Sequence, residues 1–172
     1  MELGQILLSG RKHDMIAYVH NNPGCINNII MLALSDSASA AWRAAWLLES
    51  VMADNDRKVR PHVPRMIGML PNVGESQKRL FLMILQRMEI DGVDESRLFD
   101  ICTTIWEDLR SASGVRCYAF KILLKIARKY PDLINEIRLL TEQRYMETLS
   151  PGIRHSIRLA MQREKLLTLP QP

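Results

Sequence analysis

Apolar positions recur at helical spacing along the whole chain, and the interruptions carry residues that stop one helix and start the next. After a short lead, residues 11 to 21 place Met15, Tyr18 and Val19 on one face and stop at Asn21-Asn22-Pro23. Asn22 can cap and Pro23 can occupy a first turn, so a second helix is predicted to about Leu34. The polar run Ser35 to Ser39 supplies caps for a helix from about Ala40 to Asp54, with Ala41, Ala45, Leu48 and Met52 inward; Trp42 and Trp46, one turn apart beside them, read as core, the alternative being an aromatic ledge for a base or peptide. Beyond Arg60-Pro61-His62-Val63-Pro64, the positions Val63, Met66, Ile67 and Leu70 form an i, i+3, i+4, i+7 stripe. Helices are then predicted over Glu75 to Met88, about 94 to 110 (Leu98, Ile101, Cys102, Ile105, Leu109), 115 to 129, and 132 to 148 (Leu133, Ile137, Leu140, Tyr145). A last one starts at Ser150-Pro151-Gly152, carries Ile153, Ile157, Ala160 and Met161, and runs out in a tail at 169–172. The result is an all-α chain of eight or nine helices.

Those helices repeat. The first inward positions of alternate helices, Ala41, Gln77, Val115 and Ile153, are 36, 38 and 38 residues apart. Each period holds an antiparallel helix pair, which covers its apolar face only by stacking on its neighbours, as in a solenoid. The segment Val115-Arg116-Cys117-Tyr118-Ala119-Phe120-Lys121-Ile122-Leu123 resembles the first helix of a HEAT repeat, where a small apolar residue and Arg are followed by Ala and then Leu. Ile153-Arg154 repeats its start, and Arg65 to Leu70 followed by Lys78-Arg79-Leu80-Phe81 resembles one unit running into the next. The resemblance to the HEAT/armadillo family covers roughly residues 38 to 165 and implies an α-α superhelix. Trp42 intrudes before Arg43, Gln77 stands in place of the small apolar residue, and the Asp usual in the intra-repeat loop has no consistent counterpart. The expected organisation is one domain, with 1–37 a divergent N-terminal cap, 38–168 the repeats and 169–172 a tail.

Composition agrees with a packed helical domain. Of 172 residues, 47% are apolar and 24% charged, and Leu, Met, Ala, Arg, Lys and Glu outnumber the β-branched types. The net charge of +4 divides evenly, 9 basic against 7 acidic residues up to position 86 and 14 against 12 after it, so no polyanion-binding arm stands out. Cys25, Cys102 and Cys117 form no C-x-x-C pair and fit a reducing cytoplasm. No export signal is visible, and the longest apolar runs fall far short of the ~20 residues a membrane span requires.

Catalytic and cofactor motifs are missing. His13, His20, His62 and His155 are scattered without metal-ligand spacing, and no phosphate-cradling or nucleophile-elbow pattern occurs. The cysteines fall on or beside apolar stripes as small hydrophobes. Asp91, Asp94 and Glu95 read as a turn followed by negative charge at a helix N-terminus. No metal, cofactor or catalytic residue is assigned.

Two surfaces remain as candidates. The face lined by the second helix of each pair presents His62 and Arg65, then Thr103 and Glu107, then Arg138 and Glu142, a mixture of signs that favours a protein or peptide partner. Arg43, Arg79, Arg116 and Arg154 recur near the starts of the first helices, either as a basic ridge or as packing and inter-repeat hydrogen-bonding groups, the role the HEAT resemblance implies for that position. The reading is a non-enzymatic scaffold or adaptor that binds protein or peptide. The alternative is nucleic-acid binding like that of the HEAT-like alkylpurine glycosylases, whose Trp, Asp and Arg set has no residue-by-residue match here. Self-association through an uncapped end, where Met15, Tyr18 or the last helix could stay exposed, is a third.

Overall fold

The computed structural model describes residues 3–36 and 38–163, and all regular structure within them is helical. Ser37 of the expected cap run and the expected tail at 169–172 lie outside the described residues. Backbone contacts divide the chain into two compact units, Met1–Glu89 and Ile90–Pro172.

The first unit contains α1 (Leu3–Ser9), α2 (Lys12–Asn21), α3 (Ile26–Ala33), α4 (Ala38–Val51), α5 (Val63–Met69) and α6 (Glu75–Gln86). The second contains α7 (Gly92–Glu107), α8 (Ser113–Ala127), α9 (Ile134–Leu139), α10 (Gln143–Met146) and α11 (Pro151–Arg163). Short 3-10 turns at Pro23–Cys25, Arg60–His62 and Pro131–Leu133 lead into α3, α5 and α9. Each begins at or next to a proline, which fixes φ for the first turn and has no N–H to leave unpaired there. The segment expected as a mere lead is helical as α1, and the helix expected over 132 to 148 is divided into α9 and α10, so the described residues hold eleven α-helices where eight or nine were expected.

One helix organises each unit. In the first, α4 packs against α3 and α6 and also meets α1 and α2. Ala41, Ala44 and Ala45 are fully buried on it beside Leu47 and Leu48, and their small side chains let neighbouring helices approach closely. In the second, α8 packs against α7 and α11 and buries Val115, Ala119, Phe120, Ile122 and Leu123. The two arrangements are equivalent at a distance of two periods: Ala41 on α4 corresponds to Val115 on α8. Trp42, expected in the core, is instead 42% exposed. The face that α4 buries is already filled by residues at i, i+3, i+4 and i+7 from Ala41, which turns position 42 outward. Met15, on the apolar face of its helix and a candidate for exposure only in the self-association reading, is buried, and its sulfur lies 3.9 Å from Arg43 Nη2. Leu109, expected in the α7 stripe, lies past the helix end and is exposed.

Short helices leave many terminal carbonyls without an intrahelical donor. Here side chains from elsewhere in the same unit supply the donors. Gln77 Nε2 donates to the Ala33 carbonyl and Arg65 Nη2 to that of Leu34, both at 3.0 Å, closing the end of α3. That explains a glutamine where the repeat pattern has a small apolar residue: Gln77 is buried, and its amide does the capping. Arg87 closes α4, its two terminal nitrogens each 2.7 Å from the carbonyls of Glu49 and Met52 and its Nε 2.8 Å from Asp54. Asn55, in the left-handed region at φ 52°, holds the following turn by exchanging side-chain hydrogen bonds with Glu89.

In the second unit the same device is buried. Arg116 is 1% exposed; its Nε donates to the Trp106 carbonyl at 2.8 Å, Nη2 to the Tyr145 carbonyl at 2.9 Å and Nη1 to Thr148 Oγ1 at 2.7 Å. Its guanidinium lies 4.8 Å from the centroid of the Trp106 ring, which also packs on Phe120 at 4.5 Å. Burial pulls the Arg116 pKa down, opposed by the nearby charge of Asp108. Trp106 Nε1 in turn donates to the Leu140 carbonyl at 2.7 Å. A continuous helix over 132 to 148 would give that carbonyl to the amide of Arg144, so the tertiary bond helps to divide the expected single helix into α9 and α10. Thr141, whose hydroxyl bonds the Arg138 carbonyl at 2.7 Å, completes the break.

Replacing Arg116 with Met keeps much of the volume and removes every donor. Because the buried Trp106 carbonyl then loses its side-chain donor and the Tyr145 carbonyl keeps only Thr148 Oγ1 at 3.1 Å, Arg116→Met is expected to lower unfolding stability by about 2 kcal/mol or more in urea titrations. A loss below about 1 kcal/mol would show that the guanidinium contributes little beyond its volume.

Candidate functional site

The arginines that recur near the starts of first helices have different surroundings. Arg43 is half-buried on α4 with Nη2 3.0 Å from the Gly10 carbonyl. Arg116 is fully enclosed as described, and Arg154 on α11 is half-buried against the carbonyls of Glu147 and Leu149, at 3.3 and 3.2 Å. Only Arg79, on α6, is exposed. Three of the four guanidiniums are therefore engaged by backbone.

Of the residues expected to face a partner, His62 and Arg65 belong to the first unit, where Arg65 is exposed yet bonded to Leu34 and His62 is half-buried. Thr103, Glu107, Arg138 and Glu142 belong to the second. Thr103 and Glu107 lie one turn apart on α7 and line a hollow of about 270 Å³ opposite Glu136, Leu139 and Arg144 of the α9–α10 segment. Arg138 and Glu142 are exposed outside that lining, Glu142 pairing with Arg144 Nε at 3.2 Å.

Phe99, one turn before Thr103, joins this hollow to a second of about 390 Å³. There α7 contributes Glu95 and Ser96, α8 contributes Ile126, and Tyr130, Asp132 and Leu133 close the other side. Positions 95, 99, 103 and 107 thus form an i, i+4 row along α7, and the row is the floor and wall of one cleft in the second unit. Its rim is partly apolar, with Leu139 61% and Tyr130 48% exposed.

At the deep end of the cleft the carboxylate of Glu95 is buried at 3% exposure. It is not the simple cap charge expected from its place in the first turn of α7. Lys129 Nζ stands 2.8 Å from Glu95 Oε1, 2.8 Å from Asp91 Oδ1 and 2.8 Å from the Ile90 carbonyl, and Tyr130 Oη donates to Glu95 Oε2 at 3.1 Å. The hydrogen bonds from Lys129 to Asp91 and Glu95 push the lysine pKa up, and the bond to Glu95 does the same to Tyr130. Sequence reading passes over Phe99, Lys129, Tyr130, Asp132, Glu136 and Leu139. The available signal was the i, i+4 row on α7, in which Phe99 interrupts polar positions; the partners across the cleft needed the fold.

The remaining candidate residues are not part of the cleft lining. Burial raises the pKa of Cys25, Cys102 and Cys117, which keeps the thiols protonated. On α4, Lys12 Nζ lies 5.3 Å from the half-buried Trp46 ring and the Arg43 guanidinium 5.9 Å from the exposed Trp42 ring, so each indole already has a cation beside it. Among the described residues no group of His, Cys, Asp and Glu is placed to hold a metal ion, and no helix is long and apolar enough to cross a membrane.

Helix pairs recurring at a fixed period, with caps exchanged between them, define an α-helical repeat protein. The family model described as HEAT repeat domain matches residues 2–163, and the chain belongs to that family. The match also takes in the helices before position 38, where the repeat pattern is faintest in the sequence. No curated protein and no solved structure matches the chain significantly.

The raised pKa values of Lys129 and Tyr130 set a sign for alkaline stability. A folded-state pKa above the unfolded one, about 10 for both groups, gives stabilisation that is complete below that pH and lost as pH rises through the folded-state values. Glu95→Gln removes the shared acceptor charge, so unfolding free energy should fall less steeply between about pH 9 and 11 than in the wild type. Parallel slopes in the two proteins would contradict the coupling, as would a tyrosinate absorbance titration unchanged by Tyr130→Phe.

Proposed function

We propose that this protein is a non-enzymatic scaffold or adaptor whose second unit binds a protein or peptide segment in the cleft between α7 and the α9–α10 segment. One observation carries the reading: an open cleft, apolar along its length, bordered by separated carboxylates and by the exposed side chains of Leu139 and Tyr130. Open, elongated and partly apolar surfaces suit a polypeptide that contributes both side chains and backbone, whereas small-molecule sites enclose most of their ligand. Thr103 and Glu107 are the sequence-expected residues inside it, with Arg138 and Glu142 beside it. His62 and Arg65 would take part only through a second contact made by the first unit.

Nucleic acid is the less favoured partner. Guanidiniums committed to backbone carbonyls have fewer donors to offer phosphates, and the cleft's carboxylates oppose a phosphate chain. Protonated, buried thiols and helices of a repeat family support a binding role over chemistry. Unpaired cysteines also suit a reducing compartment such as the cytoplasm.

A photo-crosslinking amino acid at position 139, whose side chain points to solvent at the cleft rim, should trap a polypeptide when the protein is exposed to lysate of its own cells. The same probe at exposed Arg79, a residue of the first unit, should not trap it. Recovery of nucleic acid instead, with affinity that falls steeply as salt is raised, would replace the proposal by the nucleic-acid reading.

A further inference from the structure

The chemistry of the cleft narrows the partner further, on the basis of the peptide-binding reading above. The chain as a whole carries +4, yet the cleft lining presents the carboxylates Glu95, Asp132, Glu107 and Glu136 against one cation, Arg144. Two of these charges are already answered: Glu95 by Lys129 at 2.8 Å, and Arg144 by Glu142 at 3.2 Å and by the Tyr145 ring at 4.6 Å. Glu107 accepts a hydrogen bond from Tyr145 Oη at 3.1 Å but, among the described residues, meets no cation at ion-pairing distance. The side chains of Asp132 and Glu136, both exposed, have no hydrogen-bonding or ionic partner among the described residues. They lie four positions apart across the start of α9, about 6 Å along its axis.

Between these carboxylates run apolar surfaces. The Phe99 and Tyr130 rings border the larger hollow, and Leu139 stands open at the other end. Aromatic rings beside a carboxylate favour an ammonium or guanidinium group, which gains from the ring faces and from the charge together. We infer that the cleft of the second unit binds a basic peptide segment, placing one Lys or Arg side chain between Phe99, Tyr130 and Asp132 and a second against Glu136 and Glu107, with apolar residues of the segment on Leu133 and Leu139. The carboxylates then set specificity and speed of encounter, and the apolar floor supplies contact area.

The test uses the full chain and three labelled twelve-residue peptides of equal apolar content, carrying four Arg, four Ser or four Glu, in fluorescence anisotropy titrations. The Arg peptide should bind tightest and weaken with added salt, because the opposing charges are exposed. Asp132→Lys with Glu136→Lys should lower its affinity about tenfold or more. Both positions are exposed, so circular dichroism and thermal midpoint of the double variant should match the wild type, and the neutral Asp132→Asn/Glu136→Gln pair should give an intermediate affinity.

An Arg peptide that fails to bind, or binds equally to the double-lysine variant, overturns the inference. Binding of the Ser or Glu peptide as tightly as the Arg peptide, lost in Leu139→Asp, overturns the basic preference while leaving a peptide cleft. Absence of binding by all three, together with no polypeptide trapped at position 139, removes both readings.

Discussion

What holds this chain together as a set of repeats is the closing of helix C-termini by side chains from distant helices. Each short helix ends in carbonyls that its own backbone cannot satisfy, and the partial negative charge there favours a cation or a strong donor. Arg43, Arg65, Gln77, Arg87, Trp106 and Arg116 provide those donors across sequence separations of 29 to 44 residues, close to the repeat period. The apolar faces bring the helices together without direction. The caps give direction and register, because a side chain must reach one particular carbonyl on a neighbouring helix.

The same bonds shape the cleft. By taking the Leu140 carbonyl, Trp106 breaks what would be one long helix, and the break lies beside the hollow that Leu139, Leu140 and Tyr145 line. Arg116 holds the C-terminal side of the break through Tyr145 and Thr148. A segment thus anchored from beneath by buried donors can present Glu136 and Leu139 outward on a fixed wall. At the other end, Lys129 gathers the Ile90 carbonyl, Asp91 and Glu95, so the wall carrying Tyr130 is tied to the start of α7. The cleft's two ends are each fixed by a charge-assisted contact.

The sequence made the helices and their period legible because local periodicity, proline placement and polar breaks act within a few residues. Ala41, Val115 and Ile157 were identifiable as inward from spacing alone, and all are buried. The failures have a common cause. The size of Trp42 points to core, and the apolar stripe over 132 to 148 points to one continuous helix; both outcomes depend on what a neighbouring helix supplies. Glu95 shows the same limit at the site. Its position in a first turn suggested a solvated cap charge, but a lysine 34 positions later buries it as half of an ion pair. Thr103 and Glu107 could be placed on the open face of α7 because helix geometry fixes them; Asp132, Glu136 and Leu139 could not, because the break in α9–α10 decides where they point.

Formal charge is a poor guide to what such a chain presents to a partner. An arginine turned onto helix carbonyls contributes fully to net charge and less to outward potential, since the carbonyl dipoles around it oppose its field. Arg116 is the limiting case, counted in the +4 but enclosed at 1% exposure. Carboxylates have no equivalent structural use at helix C-termini, where their charge is repelled, and Asp132, Glu136 and Glu142 of the second unit are exposed. A basic repeat protein can therefore carry a cleft lined mainly by carboxylates without contradiction, because the arginines that build the repeats count in its net charge and not in the cleft lining.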